Sequence, residues 1–499
     1  MSLKQKTVSG VLWTGLAKMG MQLVLFVVTV ILARLLSPDD FGVVGMAAIV
    51  TVAITMVNDR GLGVAIVQKK DVAKEHLSSL FWGGLFFGIF LFALLAVASM
   101  PLAHFFKKPI VRAVFSVQAV GFIIGAFGIV QKSLLTKEMA FKKLSIIEVS
   151  SVIVSGVVSI LMAVRGMGVW SLVFGIIVRD AVGVIFLWLI TPWKPAFHFS
   201  WREFKIYIGF SAQVLANNVS IYAITNADVT VIGRIMGAEL LGFYSLALNL
   251  VKLPVTRLSG IVAKVVFPAF SHIQDDLKKF KSAYLRSMTF ISLLTFPILA
   301  GLGVFAGEFI RVFLGEKWMT MLLPLQILVP MAMLKSVGTI KGSVLLARGR
   351  PDIELKWNLA YFIPLIGVLI FGAKHGLVGV AAAFTGLYLV TFPIIQQITN
   401  RQVGASMFEF FKAFGTTGPA TIIMAIAGIS LRLLMKNVFN FTDLVVLLLG
   451  VVASAAIYVV SIWFLKRTLF LEFMGLMRKK KASEDTETVA EELFEMSNG

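Results

Sequence analysis

The chain has 499 residues, 58% of them apolar and only 14% charged, which excludes a soluble globular protein, because a soluble chain of this size needs far more polar surface to cover its core. It has no Cys, so disulfides, thiol chemistry and cysteine metal sites are excluded. The net charge of +20 (46 − 26) would suggest nucleic acid in a soluble protein, but here most cations sit in short segments between apolar runs, so membrane topology is the cause.

The apolar residues fall in runs of about 20, each long enough to cross a hydrocarbon core of about 30 Å. Met1 to Lys6 carries Lys4 and Lys6 and leads into the first run, 10–34, without a small-residue cleavage site. That predicts a retained helix rather than a cleaved leader. Further spans are predicted over 41–66, 80–103, 110–131, 145–164, 168–190, 206–232, 241–267, 284–311, 320–346, 354–373, 376–398, 411–434 and 442–465, about fourteen in all. Turn signals separate several of them, such as Ser37-Pro38-Asp39-Asp40, Arg165-Gly166-Met167-Gly168 and Lys374-His375-Gly376. The 42 Gly residues suit close packing of membrane helices. Pro254, Pro297, Pro324 and Pro330 fall in the eighth to tenth spans, where each removes a backbone hydrogen bond and predicts a kink or hinge, although membrane helices also tolerate Pro. Beyond Lys466, the apolar stretch 469–477 and the basic Arg478-Lys479-Lys480-Lys481 predict an interfacial segment on anionic lipid, and 482–499 a polar, disordered tail. A frayed cytoplasmic end accounts for that stretch equally well.

Alternate loops differ in Lys and Arg, about 27 in one set against about 11 in the other. The richer set is assigned to the cytoplasm. Both termini then lie inside, as an even number of spans requires. A weak internal repeat is also present. At an offset of 200, Arg34 meets Arg234, Gly42 meets Gly242, Ala47 meets Ala247 and Asp39 meets Glu239. Identities this few arise by chance, but both segments occupy the outer end of a first hairpin. Six spans separate the two hairpins, so the copies enter the membrane in the same direction, a parallel repeat. The predicted division is an N-terminal lobe over 1–195, a C-terminal lobe over 196–400, two further helices over 401–467 and a cytoplasmic tail over 468–499.

Lys18, Asp59, Arg60, Glu148, Arg179, Asp180, Asp228, Lys252, Arg257, Lys335 and Lys341 fall inside predicted spans. A charge at the bilayer centre costs at least about 2.5–3.5 kcal/mol. Each must therefore face a wet cavity, pair with another charge, or snorkel from near a helix end, as Arg60 and Lys341 are placed to do. Cations outnumber anions seven to four, which suits an anionic ligand such as phosphate or pyrophosphate. Arg179-Asp180 and Asp59-Arg60 are neighbours in sequence, so they are expected to point to different sides of their helices and need not neutralise each other. The seventh span adds Asn217, Asn218, Asn226 and Asp228, a polar run that could hold sugar hydroxyls or join helices. The candidate substrate-binding positions are Lys18, Asp59, Arg60, Arg179, Asp180, Asn217, Asp228, Lys252, Arg257 and Lys335. No phosphate-binding loop of the form G-x-x-x-x-G-K-[ST], no H-E-x-x-H and no long loop occurs, and the five His lie in loops or at span ends. This composition predicts transport without a catalytic residue, metal or cofactor.

Thr7-Val8-Ser9-Gly10-Val11-Leu12-Trp13, Leu32-Ala33-Arg34-Leu35-Leu36-Ser37-Pro38-Asp39-Asp40-Phe41-Gly42 and Asp59-Arg60-Gly61-Leu62-Gly63 resemble the first hairpin of the colanic-acid-exporter-like branch of the polysaccharide flippases. These are the Wzx-type exporters of the multidrug/oligosaccharidyl-lipid/polysaccharide exporter superfamily. The resemblance implies an all-α integral membrane transporter with two pseudo-symmetric six-helix lobes and two C-terminal helices, V-shaped and alternating in access. It implies a bacterial inner-membrane location and an undecaprenyl-pyrophosphate-linked oligosaccharide as substrate. It also implies coupling to H+ or Na+, with a polysaccharide polymerase as a pathway partner. A peptidoglycan-precursor flippase and a multidrug exporter share the fold, though an exporter of organic cations would need an acidic cavity. An intramembrane polymerase or ligase would need a large outer loop.

Overall fold

The computed structural model describes residues 3–48, 66, 74–201, 226–468, 471 and 475. Every regular element among them is helical. Eleven helices are long and apolar enough to cross a membrane, between His76 and Leu465, and each falls on one of the predicted spans. Of the other three predicted spans, 10–34 is helical within Leu3–Leu35, and 41–66 and 206–232 involve residues outside the described set. The expected all-α membrane architecture is therefore observed. The stretch 469–477 and the acidic tail lie almost wholly outside the described residues. The chain divides into two compact units, Met1–Ser245 and Leu246–Gly499.

In the first unit the helices are α1 (Leu3–Leu35), α2 (38–48), α3 (Lys74–Phe106), α4 (Ile110–Lys137), α5 (Phe141–Val164), α6 (Val169–Ile190), α7 (Ala227–Met236) and the start of α8 (Ala238–Pro254). The turn signals act as their chemistry dictates. Ser37 and Asp40 cap each other reciprocally: Asp40 N–H donates to Ser37 Oγ at 3.2 Å, and Ser37 N–H to Asp40 Oδ2 at 2.9 Å. Pro38 then opens α2, where a missing N–H has no helical partner to lose. α3 packs on α4, α5 on α6, α1 on α5, and α4 on α6.

Positions matched at the offset of 200 meet in the structure. A Cβ on Gly42 would lie 1.6 Å from the Ala238 carbonyl oxygen, and one on Gly242 would lie 1.9 Å from the Pro38 carbonyl oxygen. Positions 38 and 238, and 42 and 242, are equivalent at the offset of 200. Each copy therefore places its glycine against its counterpart's helix start, as a two-fold relation requires. Only glycine allows backbones this close. Around the crossing, Lys108 Nζ holds Asp39 at 2.8 Å, and Arg234 donates to the Phe105 carbonyl while its guanidinium lies 5.3 Å from the Phe105 ring.

The second unit continues α8 through a π-turn, Val255–Ser259, into α9 (Gly260–His272). It then has α10 (Leu277–Val304), α11 (Ala306–Phe309), a π-turn (Ile310–Leu314) and a 3-10 turn (Glu316–Met321). There follow α12 (Leu322–Gly338), α13 (Ile340–Ala347), α14 (Pro351–Ala373), α15 (Gly376–Val403), α16 (Met407–Lys412), α17 (Thr417–Asn437) and α18 (Asp443–Leu465). Its core gathers Phe270, Phe280, Tyr284, Met288, Ile291, Phe392 and Phe410. Among the predicted hinges, Pro254 does end regular α-helix. Pro297 and Pro330 sit inside unbroken helices, and Pro324 lies in the first turn of α12, where its missing N–H is not needed. The tenth span breaks instead at Gly338–Thr339.

Candidate functional site

In the first unit, Lys18 is exposed on α1. On α6 the expected separation of Arg179 and Asp180 does not hold. Arg179 Nε lies 3.5 Å from Asp180 Oδ1, with 40% and 29% of the two side chains exposed. Neighbouring Cβ atoms diverge on a helix, but the long arginine stem bends back, so this pair is partly self-neutralised. Asp228 is only 2% exposed. It accepts from Tyr244 Oη at 3.1 Å and from the Val229 N–H at 2.9 Å, so its carboxylate is held inside the unit in the first turn of α7. Asp59, Arg60 and Asn217 lie outside the described residues.

In the second unit the candidates converge on one local device. Pro254 removes a helical donor, and the backbone widens into the π-turn that follows. Arg257 stands exposed in that turn, and Lys252 is half-buried one turn before it. Thr256 Oγ1 donates to the Lys252 carbonyl at 3.0 Å. α12 packs against this π-turn and carries the half-buried Lys335 in its last turn. At about 1.5 Å per residue, Lys252 and Lys335 both sit roughly 20 Å along their helices from Ala238 and Leu322. Among the described residues, neither Lys252 nor Arg257 enters an ion pair. Lys252 and Arg257 can therefore meet an anion, because their charge is not spent on a carboxylate of the described residues. Lys341, by contrast, lies 3.7 Å from Glu354 Oε1.

A second ionic cluster was not among the candidates. Glu308 is fully buried and accepts from Arg432 Nε at 2.8 Å and Lys436 Nζ at 3.0 Å. Lys436 also meets Asp443 at 2.7 Å, and Arg311 joins Glu316 at 3.0 Å. The cluster fastens the α17–α18 hairpin to the segment after α10. Glu308 and Arg311 both fall inside the predicted span 284–311, and the i, i+4 pair Arg432 and Lys436 on α17 was the available signal. What hid it is that Glu308 and its two cations are more than a hundred residues apart in sequence.

A profile of the family described as polysaccharide biosynthesis protein matches residues 31–323, more than half of the chain. The chain belongs to the polysaccharide biosynthesis protein family. It is 27% identical to an uncharacterized membrane protein in the cps region of Klebsiella pneumoniae, covering 96% of this chain and 99% of that protein. It is 27% identical to the lipopolysaccharide biosynthesis protein WzxC of Escherichia coli (strain K12), covering 87% and 89%, and 28% identical to the teichuronic acid biosynthesis protein TuaB of Bacillus subtilis (strain 168), covering 92% and 95%. Among solved structures it resembles the lipid II flippase MurJ in an inward closed conformation, with a TM-score of 0.74 at 14% identity over 91% of this chain and 99% of that one. It also resembles an inward-facing multidrug transporter of the MOP superfamily, with a TM-score of 0.61 at 15% identity over 77% and 96%. At these identities the structures establish the fold. This member of the polysaccharide biosynthesis protein family is a multi-pass membrane protein with the fold of the solved flippase and multidrug transporter.

Proposed function

We propose that the protein is a flippase that moves an undecaprenyl-pyrophosphate-linked oligosaccharide repeat unit from the cytoplasmic to the outer leaflet, for exopolysaccharide, capsule or O-antigen synthesis. The observation that carries this reading is the near-full-length relationship to proteins of cell-surface polysaccharide synthesis, on a fold otherwise seen in transporters. The chemistry agrees with it. A pyrophosphate cannot enter hydrocarbon unaided, because burying an unpaired charge costs tens of kcal/mol in the Born limit. Lys252 and Arg257, uncommitted to any carboxylate among the described residues, replace part of the hydration such a group would lose. The lipid tail never needs to leave the bilayer, so the protein has only to shield the headgroup.

On this proposal the protein sits in a bacterial inner membrane with both termini cytoplasmic. Transport is driven by an H+ or Na+ gradient, and the product passes to a polysaccharide polymerase. The test is flipping in proteoliposomes of a pyrophosphate-linked oligosaccharide lipid, a phosphate-free glycolipid, the peptidoglycan precursor and a cationic dye. Selective movement of the oligosaccharide pyrophosphate, lost in Arg257→Ala and Lys252→Ala, is expected. Movement of the dye alone, or of the peptidoglycan precursor alone, would overturn the proposal.

A further inference from the structure

Between α15 and α17 the chain does not turn straight from one span into the next. Gly404, at φ +67, ends α15, and Ser406 then starts the separate helix α16 with a complete capping box. Ser406 Oγ accepts from the Glu409 N–H at 3.1 Å, and Glu409 Oε2 accepts from the Ser406 N–H at 2.8 Å. Lys281 Nζ lies 2.5 Å from Glu409 Oε1 and ties the helix to α10. Phe410 is fully buried against Phe392, with ring centroids 6.1 Å apart, and against Phe414 at 5.0 Å. α16 is therefore a built element, fixed on one side.

Its other side is bare. Phe408 is 77% exposed and Phe411 is 55% exposed, three residues apart and so neighbours on the helix surface. Full burial of a Phe side chain is worth roughly 1.5–3 kcal/mol, so two uncovered side chains favour any apolar medium within reach. The membrane is within reach. Three residues, 404–406, separate α16 from α15, and four, 413–416, separate it from α17. At no more than about 3.6 Å per residue, α16 lies within roughly 11–14 Å of the two span ends, close to a headgroup layer about 5–8 Å thick on each side of the core. Arg401, Lys412 and Lys278 are exposed at the same end. The nearby acids are largely engaged: Asp276 caps α10 through the N–H groups of Lys278 and Lys279 at 3.1 and 3.0 Å, and Glu409 is held as described, which leaves Asp275. The Lys and Arg asymmetry assigns this end to the cytoplasm, the side on which anionic lipid attracts basic segments.

We propose that α16 is an interfacial helix for anionic phospholipid. Phe408 and Phe411 enter the boundary between headgroups and acyl chains, while Arg401 and Lys412 hold lipid phosphates. The anionic lipid content of the inner leaflet then sets how firmly this end of the second unit is anchored. Each cation near an anionic surface shifts the seated state by about fivefold.

The absence of Cys makes a direct test available. The full-length Phe408→Cys protein, carrying an environment-sensitive fluorophore on its single thiol, is reconstituted in phosphatidylcholine vesicles with and without phosphatidylglycerol, each with brominated lipid as quencher. An Asp275→Cys control is labelled in the same way. The label at 408 should be quenched, more strongly when phosphatidylglycerol is present, and that increment should vanish in the Arg401→Gln/Lys412→Gln background. The label at 275 should be quenched weakly in both vesicles. A label at 408 that reports water in both vesicles would overturn the proposal. So would quenching that ignores phosphatidylglycerol, or shielding from water and lipid alike, which would mean a protein covers the face.

Discussion

Adding one methyl group at Gly42 should damage this protein, whereas adding it at Gly301 should not. A Cβ at Gly42 would stand 1.6 Å from the Ala238 carbonyl oxygen and 2.4 Å from its carbon. Ordinary contact needs about 3.5 Å, so α2 and the start of α8 must separate by nearly 2 Å. The obstacle is backbone and cannot rotate aside. Overpacking of this kind costs about 1–3 kcal/mol, while Gly301, with nothing within 4 Å of its added Cβ, should gain up to about 1 kcal/mol from better helix propensity. Thermal unfolding of the purified protein, followed by tryptophan fluorescence, should therefore rank Gly42→Ala below wild type and Gly301→Ala at or above it. The reciprocal contact adds a sharper requirement. Once one Cβ has parted the helices, the second meets less resistance, so Gly42→Ala/Gly242→Ala should lose less than the sum of the single losses. Equal stability of Gly42→Ala and Gly301→Ala, or strict additivity of the pair, would refute the close two-fold crossing.

Glu308→Ala should lose about 1–3 kcal/mol of stability in the same assay, because Arg432 loses its partner while Lys436 keeps Asp443 at 2.7 Å. Arg432→Gln should lose less, since Lys436 still reaches Glu308 at 3.0 Å. Tyr284→Phe removes the hydroxyl that donates to Asn400 Oδ1 at 2.7 Å and accepts from Gln396; the two amides keep their bond to each other at 2.8 Å, so the loss should be about 0.5–1.5 kcal/mol. Arg257→Ala should slow flipping of the pyrophosphate lipid by about 10- to 100-fold, the worth of one charge-assisted hydrogen bond, with little effect on the melting temperature because Arg257 is exposed. The Lys281 ammonium, and then the Ser406 N–H, hold the Glu409 carboxyl below its ordinary range. A lowered folded value means that its contribution is present above the unfolded value of about 4.3 and is lost as pH falls through the lower folded value. The protection factor of 407–412 should fall across that acidic window, and Glu409→Gln should be poorly protected already at neutral pH and show no such step.

Where the membrane helices run could be read directly from the chain, because crossing a bilayer is a demand on local length and apolarity. The eleven spans seen between His76 and Leu465 therefore fall where the apolar runs put them, and the Ser37-Pro38-Asp39-Asp40 signal starts α2 through contacts three residues apart. The offset of 200 was legible for the same reason, as similarity along one dimension. What those residues do was not. Arg179 was expected to stand clear of Asp180 and bends onto it. Pro297 and Pro330, where a kink, a hinge or mere tolerance was open, lie inside continuous helices, while Pro254 precedes the π-turn that displays Arg257. Glu308 finds its cations more than a hundred residues away, and Gly42 and Gly242 are the glycines they are because each lies against the other repeat's backbone. Helix existence is settled by the solvent each segment meets. Charge pairing, hinge position and glycine necessity depend on which segments become neighbours, and only the packed structure decides that.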